Sequence, residues 1–352
     1  MRILTTATLL AGIASAVPFG LPANAQDKPN VAFITSTSRL GDKGFNDAVA
    51  AGVAQAAKDF GLQTTVVQST SDTDYVPNLT RAAEAGYKVI MVAGYQMGDA
   101  VKEVAPKFPN VKFGAVDVEY DTPMENVREI LFHEEQPSYL LGVLSASVVK
   151  SKSSPMIAKK NALGVVAGEE QPAVNRFITG FVCGARSIDA AMPIYVYFTG
   201  TWQDPPLFKE AAVTAYNRGA GAVFEIGGVA GLAVIEASKE LGFLEMTTDQ
   251  DKNELSPTTV LSSAEKDLQQ ATYLTIKDTV DGKWKGGQFL YSLANGGVKI
   301  ADLHGLSPVV TPEIQASLDK AKAGIIDGSL VVPKTLEQGQ ACLTGVEIKR
   351  PK

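Results

Sequence analysis

The sequence predicts an α/β protein made of two parallel-sheet lobes in series. Short apolar runs, typical of buried strands, alternate with amphipathic helical patterns along most of the chain, and the connections between them are short. The alternation stops at a Lys- and Ser-rich break at 150–160 and then restarts. The chain has 352 residues, more than one hydrophobic core usually serves. We therefore expect two lobes, each a doubly wound parallel sheet with helices on both faces.

The first half of the chain begins with an apolar run at 31–35, which we predict to be a buried strand. A helical pattern follows from Phe45 to Phe60, with apolar residues on one face. The next predicted elements are a strand at 64–67, a helix at 75–85, a strand at 88–93, a helix at 99–107, strands at 111–116 and 126–132, and a helix that ends near 149.

The second half repeats this pattern after the break. We predict strands at 163–167, 194–198, 223–226 and 243–246, and helices at 174–187, 207–218 and 231–241. The remaining pieces are a strand at 259–261, a helix at 265–281, a strand at 288–293, a tail helix from 312 and a strand at 330–332.

These last pieces are too few to build a core of their own, so we expect them to return to the two lobes. The prediction assigns residues 28–133 and about 265–290 to the amino-terminal lobe. It assigns residues 134–264 and about 291–352 to the carboxyl-terminal lobe. The chain then passes between the lobes more than once, through a multi-stranded hinge. Such a cleft can close on a ligand.

The first 25 residues are predicted to be a cleavable signal peptide rather than part of the fold. A short apolar stretch ends at the small-residue site Ala23-Asn24-Ala25, and no cysteine lies near it for lipid attachment. No later segment offers roughly 20 unbroken apolar residues. We therefore expect a periplasmic protein that is not inserted in the membrane and has no lipid anchor.

Charge and composition limit the classes of partner. The formal net charge is −6, which argues against nucleic acid and anionic membrane surfaces. Only two histidines are present, far apart, so we expect no metal site and no cofactor. Cys183 and Cys342 could form a disulfide in an oxidising compartment, or both could be buried free thiols. We expect a monomer that binds a small molecule.

The turn at 42–47 connects the first predicted strand to the first helix. It carries Phe45 among polar residues, beside Asn46. Ligands of open α/β sheets bind at the carboxyl ends of the strands. An aromatic ring beside amide and carboxylate groups could bind a flat polar ring there. In the alternative interpretation, Phe45 only packs on the helix that follows it.

Five stretches together resemble a known family. They lie at 42–46 (Asp-Lys-Gly-Phe-Asn), 71–79, 172–177, 200–205 and 227–231. In this order they are similar to the basic membrane protein family of ABC-transporter substrate-binding proteins, which includes purine nucleoside receptors. The resemblance runs from about 28 to about 303. It implies a type I periplasmic-binding-protein fold, a purine ligand held between the lobes, and an inner-membrane ABC permease as partner.

The resemblance also implies which residues contact the ligand. Phe45 and Trp202 match stacking positions on opposite sides of the purine. Asn46 and Asp117 match positions that hydrogen-bond the ligand, and Lys266, expected in the first turn of a helix, matches a lysine near the sugar. The backbone at Gly227 and Gly228 matches a loop that approaches the ligand closely.

Two positions depart from the nucleoside-binding pattern. Ser36 stands where nucleoside receptors carry an aspartate. Thr247 aligns with an aspartate that serves the ribose hydroxyls, and a threonine cannot replace a bidentate carboxylate. Ser36 and Thr247 are still expected to face the ligand. Recognition of ribose is therefore in question, and a free base such as adenine or hypoxanthine is a candidate beside a nucleoside.

Other functions are also compatible with the predicted fold. The same fold could receive another small polar or sugar-like solute, or could serve as a ligand sensor for a membrane signalling protein. A nucleoside hydrolase would need a cluster of acids in the cleft. The adjacent pairs Glu134-Glu135 and Glu169-Glu170 are interpreted as solvated or hinge residues, because neighbours on a loop seldom point together. We predict no catalytic residue and no enzyme.

Overall fold

The computed structural model describes residues 30–351 and contains two lobes, each built around a mainly parallel sheet. The signal-peptide prediction lies outside the described residues. The first stretch of chain contains β1 (Val31–Thr35), α1 (Phe45–Phe60), β2 (Thr64–Gln68), α2 (Tyr75–Glu84), β3 (Val89–Ala93), α3 (Gly98–Val104), β4 (Lys112–Val116) and β5 (Val127–Phe132).

The second stretch follows the same strand-helix alternation. It contains α4 (Glu135–Ser151), β6 (Ala162–Ala167), α5 (Pro172–Ile188), β7 (Ile194–Phe198), α6 (Pro205–Asn217), β8 (Ala220–Ile226), α7 (Gly228–Leu241), β9 (Leu244–Asp249) and β10 (Val260–Lys266). The remainder contains α8 (Leu268–Val280), β11 (Gly287–Tyr291), β12 (Val298–Ile300), α9 (Pro312–Asp327), α10 (Gln340–Leu343) and β13 (Glu347–Lys349).

Both sheets have the strand order of a doubly wound fold. The first is ordered β11-β5-β4-β3-β1-β2, and all its pairs are parallel. The second is ordered β12-β10-β9-β8-β6-β7-β13, and within it only β12 is antiparallel to its neighbour. In each sheet the first strand lies between the next two strands of the chain, so successive strands are added first on one side of it and then on the other. Ligands of doubly wound sheets bind at such switch points. The predicted α/β fold class is confirmed.

Burial explains why the strands could be read from the sequence. β1 and β3 are buried along their whole length because helices cover both faces of the first sheet. Val31 and Phe33 face one hydrophobic cluster, and Ala32 and Ile34 face another. Two-sided burial yields the continuous apolar runs of a parallel sheet. The edge strand β2 instead alternates between half-buried and exposed residues.

The chain crosses between the sheets three times. It leaves the first sheet after β5 and enters α4, returns after β10 to α8, and leaves again after β11 to reach β12. The return is anchored where α8 packs on α1: Tyr273 stacks on Phe60, with 5.6 Å between the ring centroids. A Cβ atom on Gly52 of α1 would lie 2.5 Å from the carbonyl oxygen of Gln269, so only glycine allows this approach.

Two local predictions are wrong, and two short strands are missing from the prediction. Lys266 ends strand β10 and does not lie in a helix; α8 starts two residues later, where the Asp267 carboxylate accepts the Gln270 N–H at 3.3 Å. The predicted strand at 330–332 does not form: the Leu330 N–H closes a turn onto Gly324, and Val331 is 81% exposed. The edge strands β12 and β13 were not predicted.

A disulfide joins Cys183 on α5 to Cys342 on α10, with the two Cα atoms 5.1 Å apart. Beyond α10, strand β13 adds to the edge of the second sheet beside β7. The carboxyl-terminal segment is therefore tied to the second lobe covalently and by strand pairing. None of the helices within 30–351 is long and apolar enough to span a membrane.

We expect the double substitution Cys183→Ser and Cys342→Ser to lower the free energy of unfolding by about 2–5 kcal/mol, because the bridge closes a loop of 159 residues. Urea denaturation with and without dithiothreitol measures the effect. Reductant should destabilise the wild type and leave the double variant unchanged. Equal stability of oxidised and reduced wild type would contradict the prediction.

Candidate functional site

A pocket lies between the two lobes at the carboxyl ends of their strands, which is where ligands bind in open α/β sheets. Both lobes contribute to it: the first through the turn after β1 and the ends of β3 and β4, the second through loops after β6, β7, β8 and β9. The side chains that line it include those of Ser36, Asp42, Phe45, Asn46, Gln96, Asp117, Phe177, Trp202, Asp249 and Lys266.

The turn before α1 is organised by one buried carboxylate. Asp42 is 1% exposed, and its two oxygens accept the backbone N–H groups of Gly44, Asn46 and Asp47 at 2.8–3.2 Å. It therefore satisfies the free N–H groups at the start of the helix. The result is a rigid turn that holds the side chains of Phe45 and Asn46 at the pocket.

The orientation of the Asn46 amide is fixed by chemistry. Its Nδ2 donates to Asp42 Oδ2 at 3.0 Å, and an ionised carboxylate can only accept. The other amide atom, Oδ1, is buried and has no hydrogen-bond partner among residues 30–351. Asn46 therefore offers the pocket an unused acceptor.

Trp202 contributes from the opposite lobe. Its indole ring packs against Gly168, where a Cβ atom would lie 2.6 Å from the ring. Its Nε1–H is buried and finds no acceptor within the described chain. Trp202 thus combines an aromatic surface with an unused donor.

A network of buried charges surrounds Lys266. Its ammonium lies 2.6 Å from Asp117 Oδ2 and 3.0 Å from Glu134 Oε1, and the second Glu134 oxygen accepts from Arg176 Nε at 2.6 Å. Burial acts to raise the pKa of Glu134, but Arg176 and Lys266 outweigh it and hold that pKa below its usual value. Lys266 joins the end of β4 in the first lobe to the end of β10 in the second.

Aromatic rings complete the environment of Lys266. Its Nζ lies 5.0 Å from the ring centroid of Phe45, 4.7 Å from that of Phe132 and 6.0 Å from that of Phe177. These distances allow cation–π attraction. Because the ammonium already donates to Asp117 and Glu134, it acts first as a structural cation behind the pocket.

Asp249 is different, because no hydrogen bond from the described residues engages its carboxylate. It ends β9 with φ of 71°, a left-handed conformation, as Asp117 does after β4 with φ of 60°. Burial raises the pKa of Asp249 to about 7, against the opposing attraction of Lys266 and Lys252. A pocket-facing carboxylate without a partner is available to a ligand that donates hydrogen bonds.

The lobes also contact each other across the pocket. Gln203 Nε2 donates to the backbone oxygen of Thr37 at 2.7 Å, and Gln96 Nε2 lies 3.4 Å from Glu169 Oε2. The conformation is therefore closed, with side chains of both lobes meeting at the rim.

The pocket gathers eight of the nine side chains or backbone positions singled out in the sequence. Thr247 lies outside the lining: it is fully buried, and its hydroxyl is 2.6 Å from Ser263 Oγ. Two residues further on, the carboxylate of Asp249 lines the pocket. The eight positions that line the pocket are Ser36, Phe45, Asn46, Asp117, Trp202, Gly227, Gly228 and Lys266.

Several other pocket residues were not predicted. Asp249 could have been recognised, because it lies just beyond a predicted strand of the second sheet, as Asp117 does in the first sheet. Glu134 and Glu135, which were interpreted as solvated or hinge residues, are both buried. Glu134 pairs with Arg176, and Glu135 contacts His133. Gln96, Gln171 and Phe177 carried no local signal. Within 30–351, no group of three or more His, Cys, Asp or Glu side chains is arranged to hold a metal ion.

Comparison with known proteins gives a family match over most of the chain. The model of the Bmp family, described as ABC transporter substrate-binding protein PnrA-like, matches residues 28–335. The ABC transporter nucleoside-binding protein BmpA of Lactococcus lactis is 28% identical, over 94% of this chain and 96% of that protein. An uncharacterized lipoprotein of Pyrococcus abyssi is 27% identical, over 79% of this chain and 70% of the relative.

The fold is also found among solved structures. An ABC transporter solute-binding protein from Aeropyrum pernix superimposes with a TM-score of 0.82 over 90% of this chain and all of that chain, at 22% identity. This likeness concerns the fold alone. Together with the two sheets and the three crossings, it confirms the type I fold of periplasmic binding proteins.

We expect Lys266→Met to lower the free energy of unfolding by about 3–5 kcal/mol, because Asp117 and Glu134 would remain buried beside a lost cation. The matched control is Asp117→Asn with Lys266→Met, which removes one uncompensated charge and should recover part of the loss. Urea denaturation of both variants tests this. A Lys266→Met variant as stable as the wild type would refute the structural role.

Proposed function

The chain belongs to the Bmp family of PnrA-like ABC transporter substrate-binding proteins, and from this premise we propose that it captures a purine nucleoside in the pocket between its lobes. Proteins of this class bind a small molecule and deliver it to an ABC permease in the membrane. The free carboxylate of Asp249 is the observation that carries the choice of a nucleoside.

Aromatic side chains on opposite lobes support a flat ligand. Phe45 belongs to the first lobe and Trp202 to the second, and both line the same pocket, with Phe177 beside them. Stacking of a nucleobase on an aromatic side chain contributes about 1–3 kcal/mol per base. A purine between Phe45 and Trp202 would therefore hold the lobes together.

The unused polar atoms support a heteroaromatic ring with both donors and acceptors. Asn46 Oδ1 needs a donor, and Trp202 Nε1–H needs an acceptor. Each buried polar group left unpaired costs about 1–3 kcal/mol. The rings of adenine and hypoxanthine carry N–H donors and ring-nitrogen acceptors on one edge, so a purine can satisfy both groups at once. A hydrocarbon solute has neither donors nor acceptors and would leave both groups unpaired.

Asp249 supports the attached sugar. Two vicinal hydroxyls can donate to its two carboxylate oxygens, and hydrogen bonds to a charged group contribute about 1.5–3 kcal/mol each. A free base would leave this carboxylate buried without a partner. Ser36, which replaces the aspartate of nucleoside receptors, faces the pocket as a neutral group that can donate or accept. A free base remains the second candidate because of this substitution.

Binding and closure suffice for this function, and no covalent step is required. The ligand docks on one lobe, and the other lobe closes over it until contacts such as Gln203 to Thr37 form at the rim. The permease then recognises the closed form. The same closure could instead be read by a membrane signalling protein, and a permease and ATPase encoded beside the gene would favour transport. We propose an exported, monomeric protein that acts in the periplasm.

Titration of refolded, ligand-free protein with adenosine, guanosine, inosine, adenine, guanine and hypoxanthine tests the proposal. We expect a nucleoside to bind at least about 10-fold more tightly than its base, because only the nucleoside reaches Asp249. Phe45→Ala should weaken both classes. Tight binding of a base with weak binding of its nucleoside would favour the second candidate, and no binding of all six would refute the purine assignment.

The pH dependence of nucleoside binding follows from Asp249. Burial raises the pKa of Asp249 to about 7, and only the ionised form can accept from both ribose hydroxyls at once. Affinity should therefore fall as the pH decreases from 8 to 6, by up to about 10-fold per unit below 7, and binding near pH 7 should release protons.

Calorimetry in buffers of different ionisation enthalpy measures this proton release. Asp249→Asn should remove both the release and the pH dependence. Free bases provide the ligand control, because they lack the diol and should bind with little pH dependence. Nucleoside binding that strengthens as the pH falls would contradict this role of Asp249.

A further inference from the structure

A second buried ion pair lies beneath the pocket, and the binding scheme above does not use it. Lys252, on the loop after β9, is 1% exposed, and its Nζ lies 2.8 Å from Glu225 Oε1. Glu225 is near the end of β8 and fully buried. Two charges removed from water in the second lobe are costly unless they are well paired, which calls for a reason for their presence.

Glu225 connects this pair to the floor of the pocket. Its second oxygen, Oε2, accepts the N–H of Gly227 at 3.0 Å. The same oxygen lies against Gly231 of α7, where a Cβ atom would be only 2.1 Å away. Gly227 and Gly228 line the pocket, and Gly228 has a positive φ of 52°. The carboxylate of Glu225 therefore holds the glycine loop at the start of α7.

Lys252 connects the pair to the other side of the pocket. A Cβ atom on Gly44, in the first-lobe turn, would lie 3.4 Å from Lys252 Nζ and 3.5 Å from Asp249 Cβ. Lys252 and Asp249 thus pack against the same glycine when the lobes are closed. The ammonium lies where the glycine loop, the Asp249 carboxylate and the turn that carries Phe45 and Asn46 meet.

We propose that Lys252 is a positioning residue for the pocket: anchored by Glu225, it fixes the Gly227–Gly228 loop and places a cation behind Asp249, so that Asp249 meets the ligand as a carboxylate. This inference rests on the proposed function in taking the interlobe pocket as the ligand site and Asp249 as a ligand contact. In the proposed role Lys252 does not touch the ligand; it acts through Glu225 and Asp249.

The charges around Asp249 are consistent with this role. Burial acts to lower the pKa of Lys252, but Glu225, Asp249 and Asp42 outweigh it and keep that pKa above its usual value, so Lys252 stays a cation. The charged groups that face Asp249 from the surrounding elements are Lys252, Lys266, Asp42 and Asp117, together with Glu265, Asp267 and Lys299 along an adjoining hollow.

The test follows the titration of Asp249 by carboxyl ¹³C NMR in the ligand-free protein, with Asp249→Asn to assign the signal. In Glu225→Gln with Lys252→Met both charges are removed and the shapes are kept, so the fold should tolerate the change. We expect the titration midpoint of Asp249 to rise by about one pH unit, because a neighbouring cation is lost.

A second variant makes the test independent of how well the first one folds. Glu225→Gln alone keeps the Lys252 ammonium and an oxygen for the Gly227 N–H, but it removes the charge that anchors Lys252. The ammonium should then favour Asp249, so the midpoint should fall below that of the wild type. General loosening of the lobe cannot shift the midpoint in opposite directions in two variants.

The matched control is Lys209→Met with Glu240→Gln, which removes the exposed ion pair between α6 and α7 in the same lobe. This control should leave the Asp249 midpoint unchanged. Adenosine, guanosine and inosine are the probes for affinity: the double variant at 225 and 252 should bind about 5-fold more weakly at pH 7 and approach wild-type affinity at pH 9.

An Asp249 midpoint that is unchanged in both Glu225 variants overturns the proposal. Failure of all three nucleosides to bind the wild type overturns the proposed function instead, while the ligand-free titration still decides the role of Lys252.

Discussion

The two lobes meet around a single ammonium group, Nζ of Lys266. Its carboxylate partners come from different parts of the chain, Asp117 after β4 and Glu134 at the first crossing between the lobes, and Arg176 on α5 closes the network. Since Lys266 and Glu134 are fully buried and Asp117 and Arg176 are largely so, removal of one leaves the others uncompensated. The register of β10, the path of the hinge and the depth of the pocket are all constrained by this arrangement.

The alternation of strands and helices was predictable because parallel sheets are covered on both faces, which forces continuous apolar runs such as β1 and β3. Short edge strands lack this signal. β12 and β13 have three residues each, with a lysine at the centre of one and at the end of the other, and they exist only because β10 and β7 present open edges for pairing. The segment at 330–332 is more apolar but has no such edge, so it stays a loop.

The location of the site was predictable for a similar reason: the carboxyl ends of parallel strands meet at one edge, and Phe45, Asn46 and Asp117 follow strand ends. The sequence does not predict which polar atoms of the site are already hydrogen-bonded within the protein. Whether an amide oxygen is used or free depends on which atoms lie within 3 Å, as for Asn46 beside Asp42. Strand β9 extends three residues beyond its apolar run, to Asp249, so Asp249 lines the pocket and Thr247 does not.

The polar groups of the pocket divide into those that hold the structure and those left without a partner. Lys266 and Asp42 belong to the first group, and Asp249, Asn46 Oδ1 and Trp202 Nε1 to the second. Each member of the second group that stays unpaired in the closed form costs about 1–3 kcal/mol. A ligand therefore stabilises the closed form only as far as it satisfies these groups. In the proposed function, selectivity and closure then have the same origin, because a solute that left Asp249 unpaired would also stabilise the closed form less.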